Sequence, residues 1–375
     1  MGPQPGSQRD RDLSQDDRIR VVHVLGHPTR PLDVDRHPED AQVHTCRMFC
    51  DLLNAAGIPC IYYGVDGSKT AAGEIESVGA APTGWEYGND WHKTYNERLS
   101  EALERRLLER PDEPQVVASL YGCAHADIEL PASRDVPVVE PMVGYDHCWA
   151  PYRVFPSYAH QHVIYADPSP HIHDTKWFDT VIPHFLHPEE YEPARKKGDY
   201  ALFLGRHAPD KGWQIAEEVC ERAGIRLKRI HSGLRGGNKS QIIKQAIAVF
   251  VPTLYVEPFG YVAIEAQLCG VPVITTDWGA FAETVVQGVT GFRCRTFAEF
   301  TLALHRAPCL DGQAIRLGAL ETYSLQAVLP AYTQYLAFVW QVHRHGGYYA
   351  ENAVRFPFNR FQATESRPAQ QPRSR

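Results

Sequence analysis

The chain alternates short apolar runs with stretches in which apolar residues recur at helical spacing. Residues 20–25 form the first apolar run, residues 43–56 form a helical stretch closed by Gly57, and residues 58–63 form the next run. Glycine is favoured directly after a helix, so Gly57 supports this boundary. Strands that alternate with helices in this way predict parallel α/β layers. Further strands are predicted at residues 115–122, 136–141 and 162–166, and residues 64–92 are predicted to be rich in loops.

The same alternation begins again after a polar interruption, "PEEYEPARKKGD", which shows no apolar periodicity and predicts a linker between two domains. The polar ends of the chain have the composition of disordered tails. The predicted division is residues 1–18 as a tail, 19–187 as a first α/β domain, 188–199 as the linker, 200–335 as a second α/β domain, 336–361 as a helix that packs back toward the first domain, and 362–375 as a second tail.

Composition narrows the classes of partner. The 375 residues are 43% hydrophobic and 22% charged, which is typical of a globular protein. A formal net charge of −7 argues against nucleic acid as the main partner, although a few local cations can still hold a small phosphorylated ligand. Nine scattered cysteines suit a reducing compartment, so we expect a cytoplasmic protein. No apolar run is long enough to predict a stable membrane span.

The clearest chemical signal is the stretch "VEPFGYVAIEAQLCGVPVI", interpreted as a loop that runs into a helix. Phe259, Gly260 and Tyr261 then lie at the helix start, where backbone N–H groups lack partners and the helix dipole favours an anion. Glu257 precedes the helix, and Glu265 lies inside it with a side chain that leans back toward the start. Carboxylates accept hydrogen bonds from hydroxyl groups. The stretch therefore predicts a bound diphosphate with a hydroxylated sugar on each side.

A second source of positive charge is expected, because a helix end alone contributes only about 0.3–2 kcal/mol toward an anion. The segment "FLGRHAPDKGW" provides Arg206 and Lys211 directly after a predicted strand. Ligands of open parallel sheets bind at the carboxyl ends of strands, which is where these two cations fall. Arginine offers a bidentate fork and lysine a point charge, and both suit a diphosphate.

Taken together, "GRHAPDKG", the stretch with the two glutamates and the later "GAFAETVVQGVTGF" resemble the retaining glycosyltransferases of family 4. That family has the GT-B fold, an α/β architecture of two Rossmann-like domains whose parallel sheets face a cleft. The resemblance covers residues 200–300 most strongly, and residues 138–165 resemble a subset of the same enzymes.

The resemblance implies roles for individual residues. Arg206 and Lys211 would hold the donor diphosphate, Glu257 would face the hydroxyls of the donor sugar, and Glu265 would bind the ribose. The implied catalytic residues are thus Arg206, Lys211 and Glu257; the implied donor-binding residues are Gly26, Gly205, Phe259, Gly260, Tyr261 and Glu265; and the candidates for contact with sugar or acceptor are His27, His125 and His147.

The implied reaction moves a sugar from a nucleotide-diphosphate sugar to an acceptor hydroxyl with retention at the anomeric carbon, without a metal or cofactor. The leaving diphosphate would itself deprotonate the acceptor on the same face. The acceptor class is left open among a glycan, a lipid-linked sugar and a small molecule. Two alternatives on the same fold are a sugar-nucleotide epimerase and a catalytically inactive subunit that binds nucleotide sugars.

Each candidate residue also has an ordinary structural interpretation. Glu257 and Glu265 could be solvated carboxylates, and Arg206 and Lys211 could be loop cations without a ligand. Glu283 matches a glutamate of the family but could equally cap or pair locally. For each of the three histidines, the alternative is a structural role in which the ring makes its hydrogen bonds within the protein.

Overall fold

The computed structural model describes residues 18–349, except 39, 72, 83, 85–87, 167–174, 195–197 and 232–235. Within these residues each half of the chain forms its own parallel sheet with helices packed on its faces. The predicted α/β class with two parallel sheets is therefore confirmed.

The first sheet joins seven strands of the described residues, all parallel, in the spatial order 3-2-1-4-5-6-7. All five residues of its central first strand are buried, as expected of a strand covered on both faces. The first helix begins where the Asp40 carboxylate accepts the N–H groups of Gln42 and Val43, a common helix cap. In chain order the elements are β1 (Val21–Leu25), α1 (Ala41–Ala55), β2 (Cys60–Gly64), β3 (Glu74–Ser77), α2 (Asp90–Leu108), β4 (Gln115–Ser119), β5 (Val138–Glu140), β6 (Tyr152–Phe155), α3 (Tyr158–Tyr165) and β7 (Thr180–Val181).

The second sheet joins five parallel strands in the spatial order 12-11-10-8-9. Both faces carry buried clusters, so its central strands, like β1, read as nearly continuous apolar runs. In chain order the elements are β8 (Tyr200–Leu204), α4 (Trp213–Ala223), β9 (Arg226–Ile230), α5 (Gly236–Ile243), β10 (Ala246–Val251), α6 (Tyr261–Leu268), β11 (Val273–Thr276), α7 (Phe281–Thr284), β12 (Gly291–Cys294), α8 (Phe297–Arg306), α9 (Gly312–Tyr323) and α10 (Leu325–Arg344).

Each sheet reverses its strand order at one place. In the first sheet β2 and β4 flank β1, and in the second sheet β9 and β10 flank β8. Open α/β sheets bind ligands outside the carboxyl ends of the strands at such a switch point. The loops after β1 and β4, and those after β8 and β10, are therefore the places where a site is expected.

One local prediction is wrong. Residues 162–166 are predicted as a strand, but residues 162–165 are the end of helix α3 and Ala166 follows it. The helix begins where the Ser157 hydroxyl accepts the His160 N–H. Its Ile164 and Tyr165 pack against Phe155 from the helix rather than from a strand. Residues 64–92, predicted to be rich in loops, also contain the short edge strand β3, whose side chains are mostly exposed and so lack an apolar alternation.

The last helix, α10, carries the chain back to the first half. Its Tyr332 ring packs 6.2 Å from the ring of Phe49 in α1, and the Tyr335 hydroxyl donates to the Phe178 carbonyl at 3.0 Å. One buried cluster runs continuously through the first half, α10 and the second half. The helix already begins at Leu325, and residues 350–361 of the predicted 336–361 helix lie outside the described residues. The predicted domain boundaries and tails stay predictions.

The chain is paired with itself close to where it passes between the halves. Leu186, just before the predicted linker, pairs with Ser324, directly before α10, as an isolated bridge. The Leu186 N–H also donates to the Tyr323 carbonyl at 2.9 Å. Across the described ranges, no helix has both the length and the apolar character needed to cross a membrane.

Candidate functional site

The switch point of the second sheet brings together two of the predicted catalytic residues. Lys211 lies in the loop after β8, and Glu257 lies in the loop after β10. The Lys211 ammonium is 3.2 Å from Glu257 Oε2, with only 20% and 14% of the two side chains exposed. A cation and a carboxylate far apart in sequence thus form one mostly buried pair.

Tyr255 completes this pair and was not identified from the sequence. The Lys211 ammonium lies 4.6 Å from the centre of the Tyr255 ring and also contacts its hydroxyl. Burial, followed by the nearby Glu257 carboxylate, raises the pKa of the Tyr255 phenol. Its neighbours Leu254 and Val256 are exposed, so no local pattern marks the aromatic ring between them.

Arg206 lies in the same loop as Lys211 but points into solvent. Its side chain is 69% exposed, and its nearest described ionic partner is Asp210, 3.4 Å away. The Gly205 N–H donates to the Ile230 carbonyl at 3.1 Å, which joins the loop after β8 to β9. Arg206 is therefore free to swing toward a ligand that Lys211 holds, because its exposed ion pair contributes little.

The start of helix α6 leaves backbone donors unoccupied by side chains. Gly260 is the residue before the helix, with φ of 83°, and no side chain caps this end. A Cβ on Gly260 would lie 2.6 Å from Phe281 Cε1, so glycine is required here by both conformation and space. The first N–H groups of a helix have no intrahelical partners, and this uncapped end suits an anion.

The side chains of Phe259 and Tyr261 turn away from this helix start into the contact between the two halves. Phe259 is buried, and its ring lies 5.2 Å from the His184 ring. The Tyr261 hydroxyl is 2.5 Å from His184 Nδ1. Any contact that these residues make with a ligand at the helix start therefore comes from their backbone.

Glu265 is buried one turn into α6 and already has partners. The Tyr191 hydroxyl donates to Glu265 Oε1 at 3.1 Å, and the Lys239 ammonium lies 2.5 Å from the carboxylate. Lys239 comes from α5 and was not identified from the sequence. A buried carboxylate needs such a cation in the absence of a ligand, since an unpaired buried charge is costly.

At the switch point of the first sheet, Gly26 and His27 follow β1. A Cβ on Gly26 would lie 2.0 Å from the Tyr62 hydroxyl. Contact with Tyr62 is therefore enough to require glycine here, without any ligand. His27 is 3% exposed, and its ring lies 4.3 Å from the Tyr121 ring, which follows β4, with a tilt of 51° between the two planes. Its Nδ1 accepts the Thr29 N–H at 3.1 Å, and burial lowers the pKa of His27 to about 4.

The other two candidate histidines differ sharply in environment. His125 is fully buried, with Nδ1 3.0 Å from the Ser119 hydroxyl and Nε2 3.3 Å from the Tyr95 hydroxyl. Burial lowers its pKa to about 3, so it is neutral at physiological pH. His147 is exposed, with φ of 62°, and its carbonyl accepts the Cys123 N–H at 3.0 Å. The arrangement around His125 is that of a structural histidine, whereas His147 is open to solvent.

Glu283 pairs with the opposite half of the molecule. Its two carboxylate oxygens accept the N–H groups of Tyr158 and Ala159, at the start of α3, at 2.9 and 2.8 Å. Glu283 therefore caps helix α3 of the opposite half, whereas the sequence had suggested a cap or pair within its own segment.

A cavity of about 400 Å³ lies at the amino ends of the strands of the first sheet, away from these loops. His23 lines it, and both ring nitrogens are already bound, Nδ1 by the Tyr63 hydroxyl at 2.8 Å and Nε2 by Gln115 Oε1 at 2.9 Å. We therefore take the switch points as the candidate site. In the described ranges no cluster of three or more metal-binding side chains occurs.

Comparison with known proteins gives a family match over part of the second half of the chain. Residues 229–303, which include the glutamate pair and Glu283, match the family model of group 1 glycosyl transferases. Glycogen synthase of Mycobacterium tuberculosis is 42% identical over 93 residues, which is 25% of this chain and 22% of that protein. The chain spans only 19% and 22% of the length of the curated relatives that it matches first.

Solved structures match over almost the whole fold. AviGT4, a glycosyltransferase involved in avilamycin A biosynthesis, has a TM-score of 0.61 at 18% identity over 86% of this chain and 98% of that one. HepE of Anabaena, solved in complex with UDP-glucose, has a TM-score of 0.55 at 13% identity over 84% of this chain and 99% of that one. The chain thus has the GT-B fold, and its residues 229–303 are similar to the group 1 glycosyl transferases.

Proposed function

We propose that the protein transfers a sugar from a nucleotide-diphosphate sugar to an acceptor hydroxyl, with retention at the anomeric carbon and without a metal. The observation that carries this proposal is the Lys211–Glu257 pair at the switch point of the second sheet. The pair stands beside a helix start that no side chain caps. Phosphate binds at such a start, and a sugar attached to that phosphate meets the carboxylate.

Positive charge for the diphosphate comes from three sources. The helix dipole of α6 and its first N–H groups face one phosphate. Lys211 contributes a mostly buried point charge, and Arg206 contributes an exposed fork that closes on the ligand. Charge placed where the leaving group becomes more negative is usually the largest contribution to catalysis.

The two glutamates hold the sugars on either side. Glu257 accepts hydrogen bonds from the transferred sugar, and Glu265 accepts them from the ribose. Ribose binding requires Lys239 to shift or to share Glu265, because the ammonium now lies 2.5 Å from that carboxylate. The freed Lys239 then adds a fourth positive charge near the diphosphate.

Retention follows if attack and departure occur on one face of the sugar. The bond between the anomeric carbon and the diphosphate oxygen breaks, and its electron pair stays with the diphosphate. The acceptor oxygen bonds to the same carbon from the same face and gives its proton to a diphosphate oxygen. The protein supplies the cations that stabilise the leaving group, so a metal ion is not required in this scheme.

The test is an assay with a panel of nucleotide-diphosphate sugars, with and without a chelator. We expect transfer or slow hydrolysis of one donor, a product with the donor's anomeric configuration by NMR, and an unchanged rate with chelator. Nucleoside diphosphates should raise the melting temperature, since they bind only the native state. Epimerised donor without released diphosphate would support the epimerase instead, and binding without any turnover would support the inactive subunit. The group 1 family match favours transfer over both.

A further inference from the structure

The loop that carries Glu257 is tied to the opposite half of the molecule. The Ser157 hydroxyl donates to the Pro258 carbonyl at 2.7 Å. Ser157 also accepts the His160 N–H as the cap of α3, so its hydroxyl is fixed in direction. The residue directly after Glu257 is therefore held by a side chain of the N-terminal half.

Glu283 provides a second connection between the N-terminal half and the loop that carries Glu257. The Glu283 carboxylate accepts the N–H groups of Tyr158 and Ala159 at 2.9 and 2.8 Å. Hydrogen bonds to a charged acceptor are among the stronger ones in proteins. Although 125 residues separate Tyr158 from Glu283, the contact joins the start of α3 firmly to the short helix α7.

The helix α7 is in turn packed on the backbone of Glu257. The Ala280 N–H donates to the Glu257 carbonyl at 2.9 Å. A Cβ on Gly279, which has φ of 62°, would lie 2.8 Å from the Glu257 nitrogen, so the two backbones are in direct contact. The Trp278 indole N–H also donates to the Tyr255 carbonyl at 3.2 Å. Displacing Glu283 would therefore displace the loop that holds Glu257.

We propose that Ser157 and Glu283 are positioning residues, through which contact between the two halves sets the place of Glu257 for the reaction. This inference rests on the proposed function, in which Glu257 binds the transferred sugar. Neither residue touches the donor in this arrangement. The carboxylate of Glu257 is in its working position only while the start of α3 lies against α7 and Pro258.

If Ser157 and Glu283 position Glu257, their loss should lower turnover of the nucleotide sugar but not the affinity for a nucleoside diphosphate. Lys211 and the start of α6 hold the diphosphate, whereas Glu257 holds the sugar. Loss of the contact should therefore leave the affinity for a free nucleoside diphosphate within about twofold, while kcat for the nucleotide sugar falls by about tenfold or more. The tenfold estimate corresponds to loss of one hydrogen bond to a charged group.

The experiment compares Ser157→Ala, Glu283→Ala and their double variant with Glu321→Ala, which removes an exposed glutamate of α9. We expect a lowered kcat in the first three and an unchanged kcat in Glu321→Ala. Glu283→Gln keeps one accepting oxygen and should fall between wild type and Glu283→Ala. Equal loss of diphosphate affinity and kcat, or unchanged kcat in the double variant, would overturn the proposal.

Hydrogen exchange gives a readout that does not depend on activity. In the double variant, peptides covering residues 254–263 and 278–282 should exchange faster, while peptides of α9 should be unaffected. Unchanged exchange in residues 254–263 would overturn the positioning role even in an active enzyme. A wild-type protein that turns over no nucleotide sugar would instead remove the proposed function, and the exchange result would still decide whether the contact holds the loop.

Discussion

Lys211 and Glu257 lie 3.2 Å apart in the ligand-free protein, so the cation expected to face a diphosphate is paired with the carboxylate expected to face a sugar. Each side chain therefore orients the other before a ligand arrives. A donor that enters must share the lysine between phosphate and carboxylate. This arrangement makes the pair the natural first target for mutation.

Lys211→Ala should lower kcat for the active nucleotide sugar by at least about 100-fold, because it removes charge that stabilises the leaving diphosphate. Initial rates measure the effect. Lys93→Ala, which removes an exposed lysine from α2, is the matched control and should leave the rate unchanged. A Lys211→Ala enzyme with wild-type turnover would contradict the assignment of this site.

Gly260→Ala should damage both stability and activity. The left-handed conformation costs alanine about 1–2 kcal/mol, and its methyl group would press on Phe281, 2.6 Å away. Gly318→Ala is the control, because that glycine lies inside helix α9 with open space around its Cβ position. The control should be more stable than wild type by about 1 kcal/mol. Urea unfolding of both variants checks these opposite signs, and equal stabilities would refute the argument from local geometry.

Acidification should destabilise the protein already between pH 6.5 and 4. Burial lowers the pKa of His23 and His27 to about 4 and that of His125 and His184 to about 3. Because these values lie below the ordinary 6.5, unfolding takes up protons, and stability is lost as the pH falls from 6.5 toward 4. At pH 5 each of these histidines lowers the free energy of unfolding by about 2 kcal/mol. Melting temperatures from pH 7.5 to 4.5 should drop steeply below pH 6.5, and a flat profile would show that these histidines are not neutral in the fold.

The stability contributed by Glu140 should instead fall as the pH rises. Burial raises its pKa to about 7, although its carboxylate accepts the N–H groups of Trp149 and Ala150 at 2.8 and 2.9 Å. Its contribution to stability is thus fully present below the unfolded pKa near 4.5 and is lost as the pH rises through 7. The loss between pH 6.5 and 8 is about 1 kcal/mol.

Glu140→Gln keeps an oxygen that can accept these two N–H groups and has no proton to lose. The variant should therefore show a flatter melting profile than wild type between pH 6.5 and 8. Glu104→Gln, at an exposed position of α2, should retain the wild-type slope. Parallel profiles for wild type and Glu140→Gln would exclude a raised pKa at this position.

The sequence predicted those parts of the fold that depend on local pattern. The helix predicted to start at Phe259, Gly260 and Tyr261 begins at Tyr261, and the helix predicted at residues 43–56, before Gly57, spans Ala41–Ala55. Both boundaries are set by glycines in the left-handed conformation, which is a local property readable from residue type. Strand β3 was not predicted, because an edge strand with exposed side chains has no apolar alternation to find.

The candidate site was predictable only in part for the same reason. Motif spacing identified Lys211 and Glu257, but no pattern connects Glu265 with Lys239 or Ser157 with Pro258. These contacts arise when separate elements pack, and the residues involved are of types common on any surface. Because residues 162–166 were predicted as a strand, the helix start at Tyr158 could not be recognised as a contact for the second half.

The bridge between Leu186 and Ser324 limits how the two halves can move. The backbone crosses from one lobe to the other twice, and this bridge joins the chain beside both crossings. Such a double connection resists twisting of one lobe against the other but allows bending about a line through the bridge. We therefore expect a substrate to enter by hinge bending about this line, with the cleft opening most at the edge farthest from Leu186.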